Sequence, residues 1–234
     1  MFEERSYRRI MNPCGLKTFD VKVYESDLRV FSDINVKENI FINVCRYRKI
    51  IENYVVSNPV FLRSHEPLAC DANAPGIIRH MQQASSTAGV GPMAGVAGAV
   101  AYYASLGVKC RELIIENGGD IYIKSAENRT VKIHTINKYF SDKINIQIQA
   151  GECGVCTSSG TLGHSFSYGK ADAATIIAHD PVLADCVATA ACNMVKIEED
   201  IQRAIEFSMS IKGVDGAVVI VGSKIGMKGN IKLV

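Results

Sequence analysis

Apolar side chains recur at Val36, Ile40, Phe41, Val44, Ile51 and Tyr54. That three-and-four spacing predicts an amphipathic helix, ending before Pro59. Ahead of it, residues 7–11, then Phe19, Val21 and Val23, then Leu28 and Val30 alternate as strands do, with Glu25-Ser26-Asp27 as the turn between the last two. Residues 59–74 mix polarity around Pro59 and Pro67 and predict an irregular, mobile connection.

From residue 74 the side chains become small. Pro75 can open a helix that buries Ile77, Ile78 and Met81. Gly89-Val90-Gly91-Pro92 breaks it, and residues 93–106 predict an Ala/Gly-rich helix. Each glycine there costs roughly 0.5–1 kcal/mol against alanine. Gly95 and Gly98 therefore imply that backbone or ligand comes very close. Residues 111–116 and 120–124 predict two strands around a hairpin turn at Asn117-Gly118-Gly119. Residues 130–135 and 143–150 predict two more strands.

The stretch 153–194 organises the chain. Its first half is crowded with small and polar residues, the composition of turns and binding surfaces. A strand follows over 173–178, then a helix opened by Asp180 as N-cap and Pro181 at the first helical position. Val182, Leu183, Cys186, Val187, Ala190 and Met194 form its apolar stripe, while Asp185 and Thr189, four apart, share a face off that stripe. A second amphipathic helix through Ile197, Ile201, Ala204, Ile205 and Ser208 leads to a strand at 217–221, a Gly222/Gly226 turn and a last strand at 230–234. Strands and helices are segregated rather than alternating, which predicts an α+β fold: a mainly antiparallel sheet packed with helices, in one domain spanning 1–234.

Composition narrows the function. The 234 residues are 47% hydrophobic and 21% charged, with a formal net charge of +2. Neither nucleic acid nor an acidic membrane is an expected partner at that charge. The basic run of Arg46, Arg48 and Lys49 reads as a solvated helix face. The start, MFEERSYRRI, is too charged for a secretory signal, and no apolar run suits a membrane span. A cytoplasmic protein with reduced thiols is the expectation for its eight scattered cysteines. A symmetric homo-oligomer, such as a homodimer, is the default assembly.

Four groups of residues carry candidate chemistry. Asp185 and Thr189 offer the oxygen donors that suit Mg²⁺, or are a surface acid and a self-bonded threonine. His164, in a Gly/Ser loop with Ser165, Ser167, Lys170 and Asp172 around it, is a candidate general base, or a structural histidine. Lys170 contacts phosphate or is simply solvated. Cys153-x-x-Cys156 has no partner pair for zinc, and a strand setting argues against a thioredoxin-type motif. Gly89-Val90-Gly91 and Gly118-Gly119 could cradle phosphate through backbone N–H groups, but match neither a Walker loop nor the dinucleotide fingerprint.

The order of these segments resembles the ApbE-like superfamily, with its T-fold-like architecture, whose known members are FAD:protein FMN transferases. AGVGPMAGVAGA (88–99), IENGGDIYI (115–123), CTSSGTLGHSFSYGKAD (156–172) and LADCVATA (183–190) carry the resemblance. It is closest to a shorter branch of that superfamily without an established activity. The resemblance implies Mg²⁺ held by the Ala97 carbonyl, Asp185 and Thr189, and His164 near the catalytic histidine. It places Gly118, Gly119 and Asp120 in part of a flavin-nucleotide pocket, with Ser158, Ser159, Gly160, Lys170 and Asp172 on the same ligand-binding side. FAD is then the expected substrate, its pyrophosphate neutralised by Mg²⁺ while FMN passes to an acceptor hydroxyl and AMP leaves. Two departures limit this. The lysine of the transferases' GGIAKG-type helix is Gly98 here, and the segment after His164 lacks their proline. Three expectations follow: a Mg²⁺-dependent enzyme on a flavin or other nucleotide pyrophosphate (a transferase or pyrophosphate-cleaving enzyme), a non-catalytic small-ligand-binding module of the same fold, or a thiol-based protein using Cys153 and Cys156.

Overall fold

The structure, a computed structural model, describes residues 5–141, 143–161 and 169–234. His164, Ser165 and Ser167 lie outside the described residues. An antiparallel sheet of eight strands is built in the spatial order β1 (Lys17–Val23), β2 (Ser26–Ser32), β3 (Leu113–Asn117), β4 (Asp120–Ser125), β7 (Gly151–Ser158), β8 (Ala173–Ala178), β9 (Val214–Val221) and β10 (Lys224–Gly229). A smaller sheet orders β11 (Lys232–Leu233), β6 (Asn145–Ile148) and β5 (Arg129–Lys132), again antiparallel. Six α-helices accompany them among the described residues: α1 (Lys37–Ser57), α2 (Pro59–Arg63), α3 (Gly76–Ala88), α4 (Val96–Ser105), α5 (Pro181–Met194) and α6 (Ile201–Ser210). The fold is α+β.

Period-two alternation sorts the sheet's side chains between two cores. Leu113, Ile115, Cys156, Ile176 and Ala178 face the layer formed by α1, α3, α4 and α5. Ile123, Val155, Ile177, Val218 and Ile220 face the opposite way, onto Ile133, Ile146 and Ile148 at the small sheet. Covered on both sides, β8 is buried at every position, and this is why its sequence is apolar but for Thr175, whose hydroxyl pairs with that of Thr157, rather than an alternation. Ala174, Val219 and Val221 meet α6 and the end of α5 in a third cluster.

Four expected elements differ. Residues 7–11 are not a strand: Ser6–Ile10 form a 3₁₀ turn, because Arg8 is drawn inward to Glu116 and Asp27. The 59–74 connection contains α2, whose Phe61 is buried, and Gln82 accepts from the Asp71 N–H and donates to the Ala69 carbonyl. The strand setting expected at Cys153 and Cys156 extends over all of Gly151–Ser158, inside the large sheet, where small and polar residues suggested turns. Its Gly154 lies directly beneath Pro181, and a Cβ there would collide with the proline ring. The glycine-flanked segment after β9 is not only a turn: it pairs as β10 along all of Lys224–Gly229, while β11 joins the other sheet.

Candidate functional site

Helix α5 is the hub. Asp180 caps it by accepting the Val182 N–H at 2.9 Å, with Pro181 at the first helical position, as its sequence predicts. Nearly the whole helix is buried, including Asp185, so the expected polar face is instead a helix–helix contact. Gly95 and Gly98 make that contact. A Cβ on Gly95 would stand 2.7 Å from Cys186 Sγ, and one on Gly98 would meet the Pro181 carbonyl and the Asp185 Cβ. The glycines admit a second helix. At this contact the Gly98 N–H donates to Asp185 Oδ2 at 2.8 Å, with the Ala97 N–H as a further backbone donor. Thr189, one turn on, is half-buried.

The β3–β4 hairpin closes the site from the sheet. Asn117 pairs with Asp120 across a two-residue turn, and both Gly118 and Gly119 take positive φ, 73° and 108°. That backbone favours glycine at both positions. Asn117 Nδ2 donates to the Ala97 carbonyl at 3.1 Å, tying the hairpin to the start of α4. The N–H groups of Gly118 and Gly119 donate to Glu116 Oε1 at 2.7 and 3.1 Å. In turn Glu116 accepts from Arg8 Nε at 2.6 Å and from the Tyr7 hydroxyl at 2.7 Å. The turn's backbone donors are therefore engaged by protein.

Asp120 is buried beside the Cys156 thiol, and its Oδ1 has no hydrogen-bond partner in the structure. Ser158 Oγ, on the same β7 face as Cys156 and farther toward the turn, is likewise buried without a partner. Burial, and then the nearby Asp185 charge, push Asp120 well above the usual carboxylate range. Burial pushes Asp185 up to about 7 against the two backbone donors. Two dry carboxylates next to one another, with an orphaned oxygen between sheet and helix, are costly unless protonated or neutralised by a cation.

Ala97, Asn117, Gly118, Gly119, Asp120, Ser158, Asp185 and Thr189 are thus carried by adjoining elements. The rest of the expected site is placed differently. Ser159 Oγ sits 3.2 Å from Thr161 Oγ1, and the Gly160 N–H donates to the Ala171 carbonyl. The Lys170 side chain is exposed while its N–H donates to the Val195 carbonyl at 2.7 Å. Asp172 accepts from Asn137 Nδ2 at 2.6 Å and from the Gly222 N–H at 2.9 Å, fastening the β9–β10 turn.

Cys153 and Cys156 lie in β7 on opposite faces, the first toward the small sheet and the second in the helix-side core. Neither forms a disulfide. Burial pushes Cys153 up to about 11 and Cys156 far above the ordinary thiol value, the reverse of what a reactive thiolate needs.

The donors fit a hard divalent cation. Mg²⁺ takes oxygen ligands, uses one or two carboxylates and keeps several waters. Asp185 and Asp120 would supply the carboxylates, Thr189 and Ser158 hydroxyls. The Ala97 carbonyl retains a lone pair beside its bond from Asn117. Among the described residues no group of three or more His, Cys, Asp and Glu side chains is placed to bind a metal, which argues against a zinc-type cage.

A helix-backed antiparallel sheet with a Gly-Gly-Asp turn facing an Asp185/Thr189 helix defines an ApbE-like α+β protein. The chain belongs to the family described as AbpE bacteria, whose family model it matches over residues 8–226. It is 38% identical to a UPF0280 protein of Methanocaldococcus jannaschii over 80% of both chains. A UPF0280 protein of Methanopyrus kandleri is also 38% identical, over 78% of both. Among solved structures, the apo form of Pseudomonas stutzeri flavinyl transferase ApbE superposes with a TM-score of 0.54 at 14% identity, covering 92% of this chain and 94% of that one. The ApbE protein of Thermotoga maritima gives 0.52 at 11% identity, covering 93% and 96%. At those identities the likeness is one of fold.

No described helix is long and apolar enough to cross a membrane. Glu116 and Arg8 were not legible as site residues: Glu116 looks like the last residue of an ordinary strand, and Arg8 like part of a charged start. The one usable signal was an acid immediately before Asn-Gly-Gly.

Proposed function

We propose that this chain binds a flavin or another nucleotide pyrophosphate through Mg²⁺ held by Asp185, Asp120, Thr189 and the Ala97 carbonyl. The observation that carries this is the pair of buried carboxylates, Asp120 and Asp185, with the Asp120 Oδ1 unpartnered. Such a pair is strained at neutral pH when empty and relieved by a divalent cation. Bound Mg²⁺ would neutralise pyrophosphate charge and favour cleavage of its phosphoanhydride link.

The chain's own residues then have definite tasks. Asp185 is held by backbone N–H groups so that one oxygen keeps its aim. Asn117 fixes the Ala97 carbonyl, and the Glu116 clamp holds the Gly118-Gly119 turn beside it. The turn's N–H groups are therefore taken by Glu116 rather than left to cradle a phosphate, and the Arg5 guanidinium lies against Gly118. His164 is proposed as the base that takes the proton of an attacking hydroxyl or water.

The Pseudomonas stutzeri protein that shares this fold is a flavinyl transferase, which supports a flavin as the nucleotide. A second reading, ligand binding without turnover, is favoured by Gly98. The residue that stands where transferases carry a lysine is packed against α5 with no room for a side chain. Fluorescence titration with FAD, with and without Mg²⁺, followed by assay for FMN and AMP, separates the two. Metal-dependent binding with products supports the enzyme, and binding without products supports the module. Absence of binding removes the flavin.

A further inference from the structure

A second cavity of about 570 Å³ opens between the first turns of α3, the end of α4 and residues 70–72, away from Asp185. Gly76, Arg79, His80 and Gln83 line it, at the spacing of one helix face, and Tyr103 closes it from α4. His80 Nε2 is held at 2.8 Å by Asp180 Oδ2, while the other Asp180 oxygen caps α5. The ring is further fixed edge-on against Tyr102 and Tyr103, at 5.8 and 5.9 Å. A carboxylate that pins one ring nitrogen leaves the other, Nδ1, for a ligand.

Arg79, Gln83 and Tyr103 add donors to the lining. Arg79 gives one N–H to the Ala72 carbonyl at 3.0 Å and is otherwise exposed. The Tyr103 phenol feels both the Asp180 and the Arg79 charge, and its hydroxyl lies 3.9 Å from where a Cβ on Gly76 would stand, so a side chain there would narrow the space. Helix α3 starts with no side-chain cap, and its first residue, Gly76, lines the cavity. The Arg79 guanidinium and Gln83 amide from α3, with the Tyr103 phenol opposite them on α4, suit a tetrahedral oxyanion better than a planar carboxylate. The cavity exceeds what a bare phosphate fills and lies in the range of small-molecule sites, with the Tyr103 ring as an apolar wall.

We infer that the Arg79–His80–Tyr103 cavity is a second ligand site, separate from the Asp185 site, that takes a small organic phosphate monoester.

Isothermal titration of the full chain with phenyl phosphate, inorganic phosphate and benzoate tests this, alongside Arg79→Gln, His80→Gln and Asp185→Asn. Arg79 is exposed, so its variant is expected to fold, with circular dichroism as the check. The expected result is phenyl phosphate binding at least about tenfold tighter than the other two probes. Arg79→Gln should weaken it about tenfold or more, as loss of a charge-assisted bond does, and His80→Gln should weaken it too. Asp185→Asn should leave it unchanged. No phenyl phosphate binding up to about 10 mM overturns the site. Equal binding of benzoate or inorganic phosphate overturns the ligand class. Binding lost in Asp185→Asn but kept in Arg79→Gln places the ligand at the other site and overturns the inference.

Discussion

Gly98 donates its N–H to Asp185 across 2.8 Å, and it does so from a position where no side chain fits. One glycine thus sets both the helix spacing and the aim of the carboxylate. Gly98→Ala should force α4 and α5 apart and cost about 1–3 kcal/mol, as overpacking usually does. Chemical denaturation measures the loss, and a Mg²⁺ titration should show weaker binding in the folded variant. A neutral Gly98→Ala would mean the contact is looser than the structure has it.

The raised carboxylates make stability depend on pH in a defined sense. A carboxyl whose folded value lies above its unfolded one stabilises most when protonated, below the ordinary carboxylate range. That contribution fades as pH climbs through the folded value, about 7 for Asp185. Metal-free protein should therefore lose stability, on the order of a few kcal/mol, as pH rises from the ordinary carboxylate range to about 7. Asp185→Asn should flatten that slope, and Mg²⁺ should restore wild-type stability at alkaline pH but not the variant's. Thermal melts across pH, with and without Mg²⁺, read all three.

Glu116 binds the Gly-Gly turn on one side and Arg8 on the other, both charged groups almost wholly buried. Glu116→Ala leaves Arg8 partly unpaired, bonded still to Asp27. Breaking one partner of such a pair costs about 3–5 kcal/mol. The double variant Arg8→Met, Glu116→Ala should lose less than the sum of the two singles, because the stranded charge is gone. An additive double-mutant cycle by denaturant unfolding would show that the two residues do not act together.

Much of this was legible in sequence, for identifiable reasons. The Asp180-Pro181 start of α5 and the Asn117-Gly118-Gly119 turn follow from local backbone chemistry, which neighbours in the chain decide. The close approach at Gly95 and Gly98 could be inferred from their cost, but what approaches them is α5, a helix distant in the chain. β7 was legible only as the strand setting of Cys153 and Cys156; its full extent was obscured because Gly154 answers to Pro181 packing on top of it, a tertiary demand. The Arg8–Glu116 clamp was invisible for the same reason: each residue looks ordinary until the fold joins them.

The cysteines should behave as packing residues. Cys14 and Cys70 are exposed, while Cys156, Cys186 and Cys192 are buried. A maleimide reagent should label the first two in native protein and the last three only on unfolding, and reductant should leave the melting temperature unchanged. Fast native labelling of Cys156 would contradict the placement of β7.

Recruitment of a cation by the Asp120–Asp185 pair, for a nucleotide pyrophosphate, is what the proposed function requires above all. The direct measurement is FAD binding by fluorescence, with and without Mg²⁺, in wild type and in folded Asp185→Asn. Wild type should bind FAD at least about tenfold more weakly when Mg²⁺ is removed, and the variant should no longer respond to the metal. FAD affinity that is the same in both proteins and indifferent to Mg²⁺ would contradict the metal site and the function built on it.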